Sequence, residues 1–449
     1  MAGVELKLLL RRIRRNARHR AKLYLAKQAR AKSRATFIGV TGSSGKSTTS
    51  ALLAHLLAGH ASVCSQVFAN TIMALVSALR KRVSSSNFDY VVSELGAGKD
   101  SIGPMAELLR PSVAVVTMVR LEHFTKFKTL ANVADEKRLL VEALPADGLA
   151  ILNADDPYVR TMAVGAECRV VTFGMSDDAD YRISDVRAGY PEPLTFKIHW
   201  KQNTLALKAP FPADYFWLPL AAATASALEL GVPPEMVASR LETFLPLQNR
   251  CEVLVTGTGP AFIIDTAKAP WHSIDLAIEM MSKATARRKR IVLGQISDYA
   301  GSSRKYGAAY KSAREAADQV IYVGDNAHRS RASEADRDSG RFQEIRSVKD
   351  VSEFIKQTAL PGELILLKSS SNLHLERVAL SWTHDVRCWV AACGKEEGCG
   401  ACGLYEVPFE QHRARVRQRR RARRWQFIRH FLNRVALKRI QTTRFKSLF

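Results

Sequence analysis

One segment near the amino terminus constrains the fold most strongly. An apolar run over residues 37–40 leads into a glycine-rich turn with a lysine, and a helix-like stretch over residues 49–57 follows. Two glycines let the turn direct several backbone N–H groups at one anion, and the helix aims the positive end of its dipole at the same place. The segment therefore predicts a phosphate-binding loop between a strand and a helix. Its residues are Gly42, Ser43, Ser44, Gly45, Lys46, Ser47 and Thr48.

The side chains of this turn suit a nucleoside triphosphate. Lys46 supplies a positive charge for the β- and γ-phosphates, and Ser47 or Thr48 supplies a hydroxyl for Mg²⁺. Position 40 is valine, so the pattern follows the shorter G-x-x-G-K-S-T form and not the commonest spelling of the motif. The alternative interpretation is a strand-to-helix turn that binds no ligand.

Short apolar runs alternate with helix-like segments along most of the chain. This alternation predicts an α/β fold, with a mostly parallel central sheet of the P-loop type followed by a smaller Rossmann-like α/β domain. The predicted strands are 37–40, 90–92, 113–116, 150–152, 170–173, 262–264, 290–294, 319–324 and 364–368. The predicted divisions are a basic tail (1–35), an ATP-binding domain (36–245), a second α/β domain (246–382), a cysteine-rich loop (383–410) and a basic tail (411–449).

The net charge of +24 lies in the two tails. Residues 1–35 contain twelve Lys and Arg against one Glu, and residues 411–449 contain fourteen and no acid. The 375 residues between them are therefore close to neutral. No stretch reaches the ~18 apolar residues of a spanning helix, and the first residues lack the apolar segment of a signal peptide. We expect a cytoplasmic protein.

Ionisable residues follow several predicted strands. In parallel sheets ligands bind at the carboxyl ends of strands, where this sequence has Glu94, Asp265 and Lys368. His123 follows the 113–116 run. A carboxylate and an imidazole at neighbouring strand ends could share a Mg²⁺ that also contacts the triphosphate. Each residue alone is equally compatible with a solvated loop.

These motifs, in this order, resemble those of the Mur ligase family, and within it the branch that adds D-alanyl-D-alanine. The resemblance implies that the loop holds ATP phosphates, that Glu94 and His123 bind Mg²⁺, and that Lys137 is carbamylated and holds a second Mg²⁺. Asn153–Pro157 reproduces the family's Asn-x-Asp-Asp-Pro segment, so Asn153 is counted among the nucleotide-site residues. It also implies that Arg250 faces the γ-phosphate and that Asp265 contacts the ribose.

The activity implied by the resemblance is ATP-dependent formation of an amide bond. A substrate carboxylate becomes an acyl-phosphate, an amine then attacks it, and the substrates are an amino acid or dipeptide plus a carboxylate acceptor of peptidoglycan synthesis. Two alternatives stay open: a ligase that makes poly-γ-glutamate-like chains, and a non-catalytic nucleotide-binding scaffold. The family's large uridine-nucleotide domain has only the basic tail in its place here. Residues 215–219 replace the family's histidine and asparagines at the adenine site.

Four cysteines cluster after the second domain, with x₄, x₅ and x₂ spacing. Four thiolates in one flexible loop can bind a structural Zn²⁺, and the alternative is a set of free thiols. These cysteines are Cys388, Cys393, Cys399 and Cys402. The scattered Cys64, Cys168 and Cys251 are predicted to be free buried thiols.

Both tails place apolar residues among their basic residues at near-helical spacing. This pattern favours basic amphipathic helices on the anionic inner face of a membrane. Nucleic acid is the rival partner, because arginine runs attract phosphate of any origin. A solvated tail with no partner is the third interpretation.

Overall fold

A computed structural model describes residues 2–96, 98–120, 127–296, 303–325, 327–395, 397–422 and 425–426. The strands are β1 (Thr36–Thr41), β2 (Val63–Gln66), β3 (Tyr90–Glu94), β4 (Val113–Val116), β5 (Leu149–Asn153), β6 (Arg169–Gly174), β7 (Tyr181–Gly189), β8 (Glu192–Trp200), β9 (Asn203–Ala209), β10 (Glu252–Val255), β11 (Ala261–Asp265), β12 (Lys289–Leu293), β13 (Gln319–Val323), β14 (Phe342–Ile345) and β15 (Leu364–Lys368). The helices are α1 (Ala2–Lys32), α2 (Lys46–Leu57), α3 (Ile72–Lys81), α4 (Ile102–Leu109), α5 (Leu130–Glu142), α6 (Pro157–Arg160), α7 (Trp217–Glu229), α8 (Pro234–Glu242), α9 (Trp271–Lys283), α10 (Ser303–Ala316), α11 (Glu334–Asp338), α12 (Val348–Thr358), α13 (Arg377–Leu380) and α14 (Cys399–Cys402).

The first sheet has nine strands in the order β2-β3-β1-β4-β5-β6-β7-β8-β9. Strands β1 to β6 pair in parallel and are largely buried, because helices cover both faces. Strand β1 lies between β3 on one side and β4 on the other, so the strand order changes direction at β1. Such a change of direction opens a crevice at the carboxyl end of the central strand, where the phosphate-binding loop begins.

Strands β7, β8 and β9 extend this sheet as an antiparallel meander. Their burial alternates along the chain, with one face packed and one face in solvent. The sequence interpretation sought continuous apolar runs and missed these three strands. It also missed β2, β10 and β14, each of four residues.

The second sheet has six strands in the order β10-β11-β15-β12-β13-β14, with β10 alone antiparallel to its neighbour. All nine predicted strands form, five in the first sheet and four in the second. The predicted α/β fold with mostly parallel sheets is therefore confirmed. The segment 246–250 connects α8 to β10 and so joins the elements of the two sheets.

Helix α1 packs on the first sheet's helical layer through its last two turns. Ala26 and Ala29 are buried there, whereas most side chains over 12–22 are exposed. The Arg30 guanidinium donates to the backbone oxygens of Leu109 and Arg110 at the end of α4 and lies 3.8 Å above the Phe37 ring. These carbonyls have no partner within their own helix, so the arginine satisfies them.

The second basic tail is helical over 412–422. The apolar residues from Ile428 onward that suggested an amphipathic helix lie outside the described residues, and Trp425 is exposed. Among the described residues, no helix combines the length and the apolar character that crossing a membrane requires.

Candidate active site between the two sheets

The predicted phosphate-binding loop has the geometry that its glycines imply. Gly42 adopts a φ of +142°, and a Cβ there would come within 1.9 Å of the Thr117 hydroxyl and 3.1 Å of the Met118 nitrogen. Thr117 follows β4 and donates to the Ser44 carbonyl at 2.6 Å, while the Ser43 N–H donates to the Met118 carbonyl at 2.8 Å. The segment after β4 therefore supports the loop from behind, and only glycine fits at position 42.

Helix α2 begins at Lys46 and has no acidic residue in its first turn. Ser47 and Thr48 are each 5% exposed, and Lys46 is 8% exposed with its Nζ donating to the Gly42 carbonyl. The helix N-terminus, the ammonium group and the hydroxyls thus surround one site of positive potential. Such a site stabilises an anionic group such as a phosphate.

Glu94 occupies the position next to this loop. Parallel pairing of β1 with β3 places it beside Val40, two residues before the loop glycine, and it is 2% exposed. Its Oε2 accepts from the Phe68 N–H at 2.9 Å. Carboxylate and hydroxyl oxygens are the ligands that Mg²⁺ prefers, so Glu94 with Ser47 fits the predicted metal role.

A cavity of about 490 Å³ lies between the carboxyl ends of the two sheets. It brings together most of the described residues that were predicted to bind the nucleotide or its metal; Gly42, in the same loop, does not line it. The predicted residues that line it are Ser43, Ser44, Gly45, Lys46, Ser47, Thr48, Glu94, Asn153, Arg250 and Asp265. Lys137, buried on α5, does not line this cavity, and its role at a second Mg²⁺ stays a prediction. His123 lies outside the described residues.

The Asn153–Pro157 turn positions the loops around the cavity. The Asn153 amide donates to the Thr117 carbonyl at 2.8 Å, and its side-chain oxygen accepts from the Asp155 N–H. Asp156 is 2% exposed and accepts from the N–H groups of Val119 and Tyr158 at 2.9 and 3.0 Å. These bonds tie the end of β5 to the segment after β4, which in turn supports the phosphate-binding loop.

Asp265 and Lys368 line the cavity on the side opposite the phosphate-binding loop. They end the neighbouring parallel strands β11 and β15 in the same register. The Lys368 Nζ donates to Asp265 Oδ2 at 2.6 Å and to the Lys268 carbonyl at 3.0 Å. The lysine side chain is 2% exposed, and the aspartate side chain is 14% exposed. The carboxylate therefore faces the cavity with a buried cation behind it.

Arg250 reaches the cavity from the start of the second domain. Its guanidinium carbon lies 5.8 Å from the centre of the Phe68 ring, whose backbone N–H donates to Glu94. The buried Arg250 Nε has no hydrogen-bond partner in the described structure. A buried unpaired donor of this kind costs stability unless a ligand satisfies it. The Arg250 guanidinium therefore lies on the Glu94 side of the cavity.

Two domain matches decide the family. Residues 40–227 match the Mur ligase middle domain, and residues 249–371 match the Mur ligase glutamate ligase domain. The chain belongs to the Mur ligase family. Members are ATP-dependent acid–amino-acid ligases that use Mg²⁺ and form amide bonds in peptidoglycan precursor synthesis, so the predicted enzyme class and the predicted ATP and Mg²⁺ requirement are confirmed.

Individual Mur ligases show how far the similarity extends. The UDP-N-acetylmuramoyl-tripeptide–D-alanyl-D-alanine ligase of Mycobacterium tuberculosis is 27% identical over 381 residues, which cover 79% of this chain and 74% of the relative. The Bacillus subtilis enzyme of the same name is 26% identical over 347 residues, which cover 76% and 74%. The corresponding Acinetobacter baumannii structure superimposes with a TM-score of 0.70 at 21% identity, over 81% of this chain and 79% of that one.

Three aromatic residues form one wall of the cavity, called the aromatic wall below. Tyr215 and Phe216 stack at 4.9 Å between ring centres, and Trp217 begins α7; all three line the cavity. The Tyr215 hydroxyl lies 3.0 Å from the buried Cys251 Sγ. Burial, the thiol and Asp265 raise the pKa of Tyr215, and burial with Asp265 raises the pKa of Cys251. Both groups therefore stay neutral, and the aromatic wall carries no charge.

Some cavity residues were not predicted from the sequence. The clearest cases are His272 and Arg120, whose positions in the sequence show no recognisable spacing. Lys368 was predicted only as an ionisable residue at a strand end, and Trp217 only as part of the 215–219 segment at the adenine site.

The clustered cysteines lie apart from this cavity. Cys388 and Cys399 are buried, and Cys393 and Cys402 are partly exposed. Among the described residues, Cys399 joins a group of potential metal ligands with His374 and Glu376, a group that excludes the other three cysteines. The four-cysteine zinc site stays a prediction. The predicted free thiols Cys64, Cys168 and Cys251 are free and buried.

Proposed function

We propose that this Mur ligase joins D-alanyl-D-alanine, or a closely related amine, to the peptide carboxylate of a peptidoglycan precursor. Two curated relatives are named for this activity, and the match covers 74% of the length of each. The observation that carries the proposal is the single cavity in which the phosphate-binding loop and Glu94 face Arg250 and Asp265. Such a cavity can hold ATP and an acceptor carboxylate together.

The chemistry has two steps. An acceptor carboxylate oxygen attacks the γ-phosphorus of ATP, the bond to the bridging oxygen breaks, and ADP leaves with that electron pair. The amine then attacks the acyl-phosphate carbonyl carbon, and the tetrahedral intermediate expels phosphate as the amine loses a proton to solvent or phosphate. No protein nucleophile is needed, so this chain acts by positioning and electrostatics.

Each wall has its own part in this reaction. Lys46 and the loop N–H groups hold the triphosphate, and Arg250 approaches the transferring phosphoryl group from the opposite wall, where a fixed cation stabilises developing charge. Asp265 orients the nucleotide ribose. Ser47 and Glu94 would hold Mg²⁺, which when bound offsets the negative charge of the phosphates. The neutral aromatic wall at Trp217 faces the base or the amine.

The test is ADP release by the purified chain with Mg²⁺, ATP, a muropeptide acceptor and a panel of amines. We expect D-alanyl-D-alanine to stimulate release, and Lys46→Ala to lower the stimulated rate by at least about 100-fold, since one preorganised charge stabilises a transition state by about 3 kcal/mol. Lys201→Ala, an exposed hairpin lysine, is the matched control.

The outcomes separate the rival functions. Stimulation by L-glutamate with processive product growth would replace the proposal with a poly-γ-glutamate-type ligase. Nucleotide binding without turnover in any mixture would instead indicate a scaffold. The predicted cytoplasmic location, and a membrane or nucleic-acid partner for the tails, stay predictions; the exposed arginines of α1 are compatible with either partner.

A further inference from the structure

A cluster of metal-binding side chains lies beneath the cysteine-rich segment, outside the catalytic cavity. A ring nitrogen of His374, a carboxylate oxygen of Glu376 and the Cys399 sulfur all lie within 4.8 Å of one another. The three residues are 2%, 2% and 5% exposed. A buried imidazole, carboxylate and thiol in such proximity form a donor set that zinc proteins use.

One ring nitrogen of His374 lacks a hydrogen-bond partner in this cluster. Its Nδ1 is buried without a hydrogen-bond partner and lies 3.5 Å from Glu376 Oε1. Its Nε2 lies 3.0 Å from the Cys393 sulfur. The contact between Nδ1 and Glu376 is long for a hydrogen bond and is an ion pair only if the ring is protonated, so a metal ion at Nδ1 would satisfy the nitrogen better. The opposite nitrogen could then donate its N–H to Cys393, as metal-bound histidines donate to an outer acceptor.

Cys399 is also held in place for such a role. Its sulfur accepts from the Arg377 Nε at 3.1 Å, and its backbone N–H donates to Glu376 Oε1 at 2.8 Å. The Arg377 side chain is itself buried and donates to the Val390 carbonyl. These contacts hold the sulfur in a fixed position inside the cluster.

We propose that His374 Nδ1, the Glu376 carboxylate and the Cys399 thiolate bind one Zn²⁺ ion. Binding releases the thiol proton to solvent, and a water molecule takes the fourth position. Cys393 supports His374 from the outer side. Cys402 accepts a hydrogen bond from Lys395 at 2.8 Å and has no part in the group.

The position of this site gives it a structural consequence. A Cβ at Gly398, next to Cys399, would come within 2.1 Å of the Asn249 amide nitrogen, so the cysteine-rich segment packs directly on the segment before Arg250. Glu376 Oε2 accepts from the Thr266 hydroxyl at 3.2 Å, and the Thr266 N–H donates to the Asn249 carbonyl at 3.1 Å. A metal at this point would fasten the segment around Cys399 to the connection between the two domains.

The experiment measures metal content of the purified full-length chain after reconstitution with Zn²⁺ and removal of free metal. We expect one equivalent in the wild type and in Cys388→Ser and Cys402→Ser, the matched controls. Cys399→Ser and His374→Gln should retain less than about a tenth of it. Circular dichroism establishes that each variant is folded. These readouts do not depend on ligase activity, so they succeed or fail separately from the proposed function.

Cobalt supplies a second, spectroscopic test. The Co²⁺ form should show tetrahedral ligand-field bands with charge transfer from a single thiolate, and Cys399→Ser should abolish that charge transfer. A chelator should lower the melting temperature of the zinc-loaded wild type. Absence of bound metal after reconstitution would overturn the proposal. Loss of metal from Cys388→Ser and Cys402→Ser, with the stronger charge transfer of four thiolates, would overturn it in favour of the four-cysteine site.

Discussion

Removing Asp265 should destabilise the protein more than removing its partner Lys368. The two charges are 2.6 Å apart, so their attraction is about 6 kcal/mol at an effective dielectric constant of about 20, before the cost of removing both from water is subtracted. Asp265→Asn leaves a lysine that is 2% exposed without its carboxylate, which should lower the free energy of unfolding by about 3–5 kcal/mol. Lys368→Met leaves a carboxylate that is 14% exposed and reaches the solvent of the cavity, so about 1–3 kcal/mol is expected.

The double variant Asp265→Asn/Lys368→Met tests the reasoning. Without either charge, no ion is left buried, so its loss should be smaller than the sum of the two single losses by at least about 2 kcal/mol. The assay is urea unfolding followed by fluorescence and circular dichroism, whose coincidence checks that one transition is measured. Asp275→Asn on the exposed side of α9 is the control and should change stability by no more than about 0.5 kcal/mol. Additive losses, or a larger loss for Lys368→Met than for Asp265→Asn, would refute the argument.

Two further predictions concern the aromatic wall and the second domain's response to acid. In steady-state assays, Trp217→Ala should raise the KM for ATP by about 5- to 150-fold, because stacking of a base on an aromatic ring is worth about 1–3 kcal/mol. The control Trp217→Phe should stay near wild type. If only the KM for the amine changes, the aromatic wall binds the amine and not the base. Burial would raise the pKa of Asp336, but hydrogen bonds from Arg314 and Tyr310 outweigh it and lower that pKa below its usual value. The resulting stability is present above the unfolded pKa and disappears as the pH falls through the folded one, so Asp336→Asn should flatten the decline of the melting temperature below about pH 4. Asp338→Asn, on the exposed side of the same short helix, should leave that decline unchanged.

The phosphate-binding loop could be predicted because its signal is local. Strand, glycines, lysine and hydroxyls follow one another directly, and each is needed by the same ligand. Glu94 was also predictable, since the carboxyl ends of neighbouring parallel strands meet at one edge of a sheet. What the loop rests on was not predictable. Thr117 supports Gly42 from more than seventy residues away, and nothing in its own segment indicates that contact.

The cysteine-rich segment shows the opposite case. The spacing of its cysteines directed attention to partners inside the segment. The structure instead places Cys399 with His374 and Glu376, which lie more than twenty residues earlier and belong to the region after β15. A pattern of one residue type cannot reveal a mixed set of donors that only the tertiary fold assembles. The meander β7–β9 was missed for a related reason, because half-exposed strands carry no continuous apolar run.

Helix α1 is attached to the body of the protein only by its last turns, as far as the described contacts show. Arg30 and the buried alanines hold its last turns on the body of the protein, and its other end begins at Ala2. At 1.5 Å per residue, the 28 residues between them extend about 42 Å, roughly the thickness of a bilayer with its headgroups. The length of the helix therefore sets how far its first residues lie from the catalytic cavity. Removing whole turns from the middle of α1 would therefore shorten that distance by about 5.4 Å per turn without touching the active site.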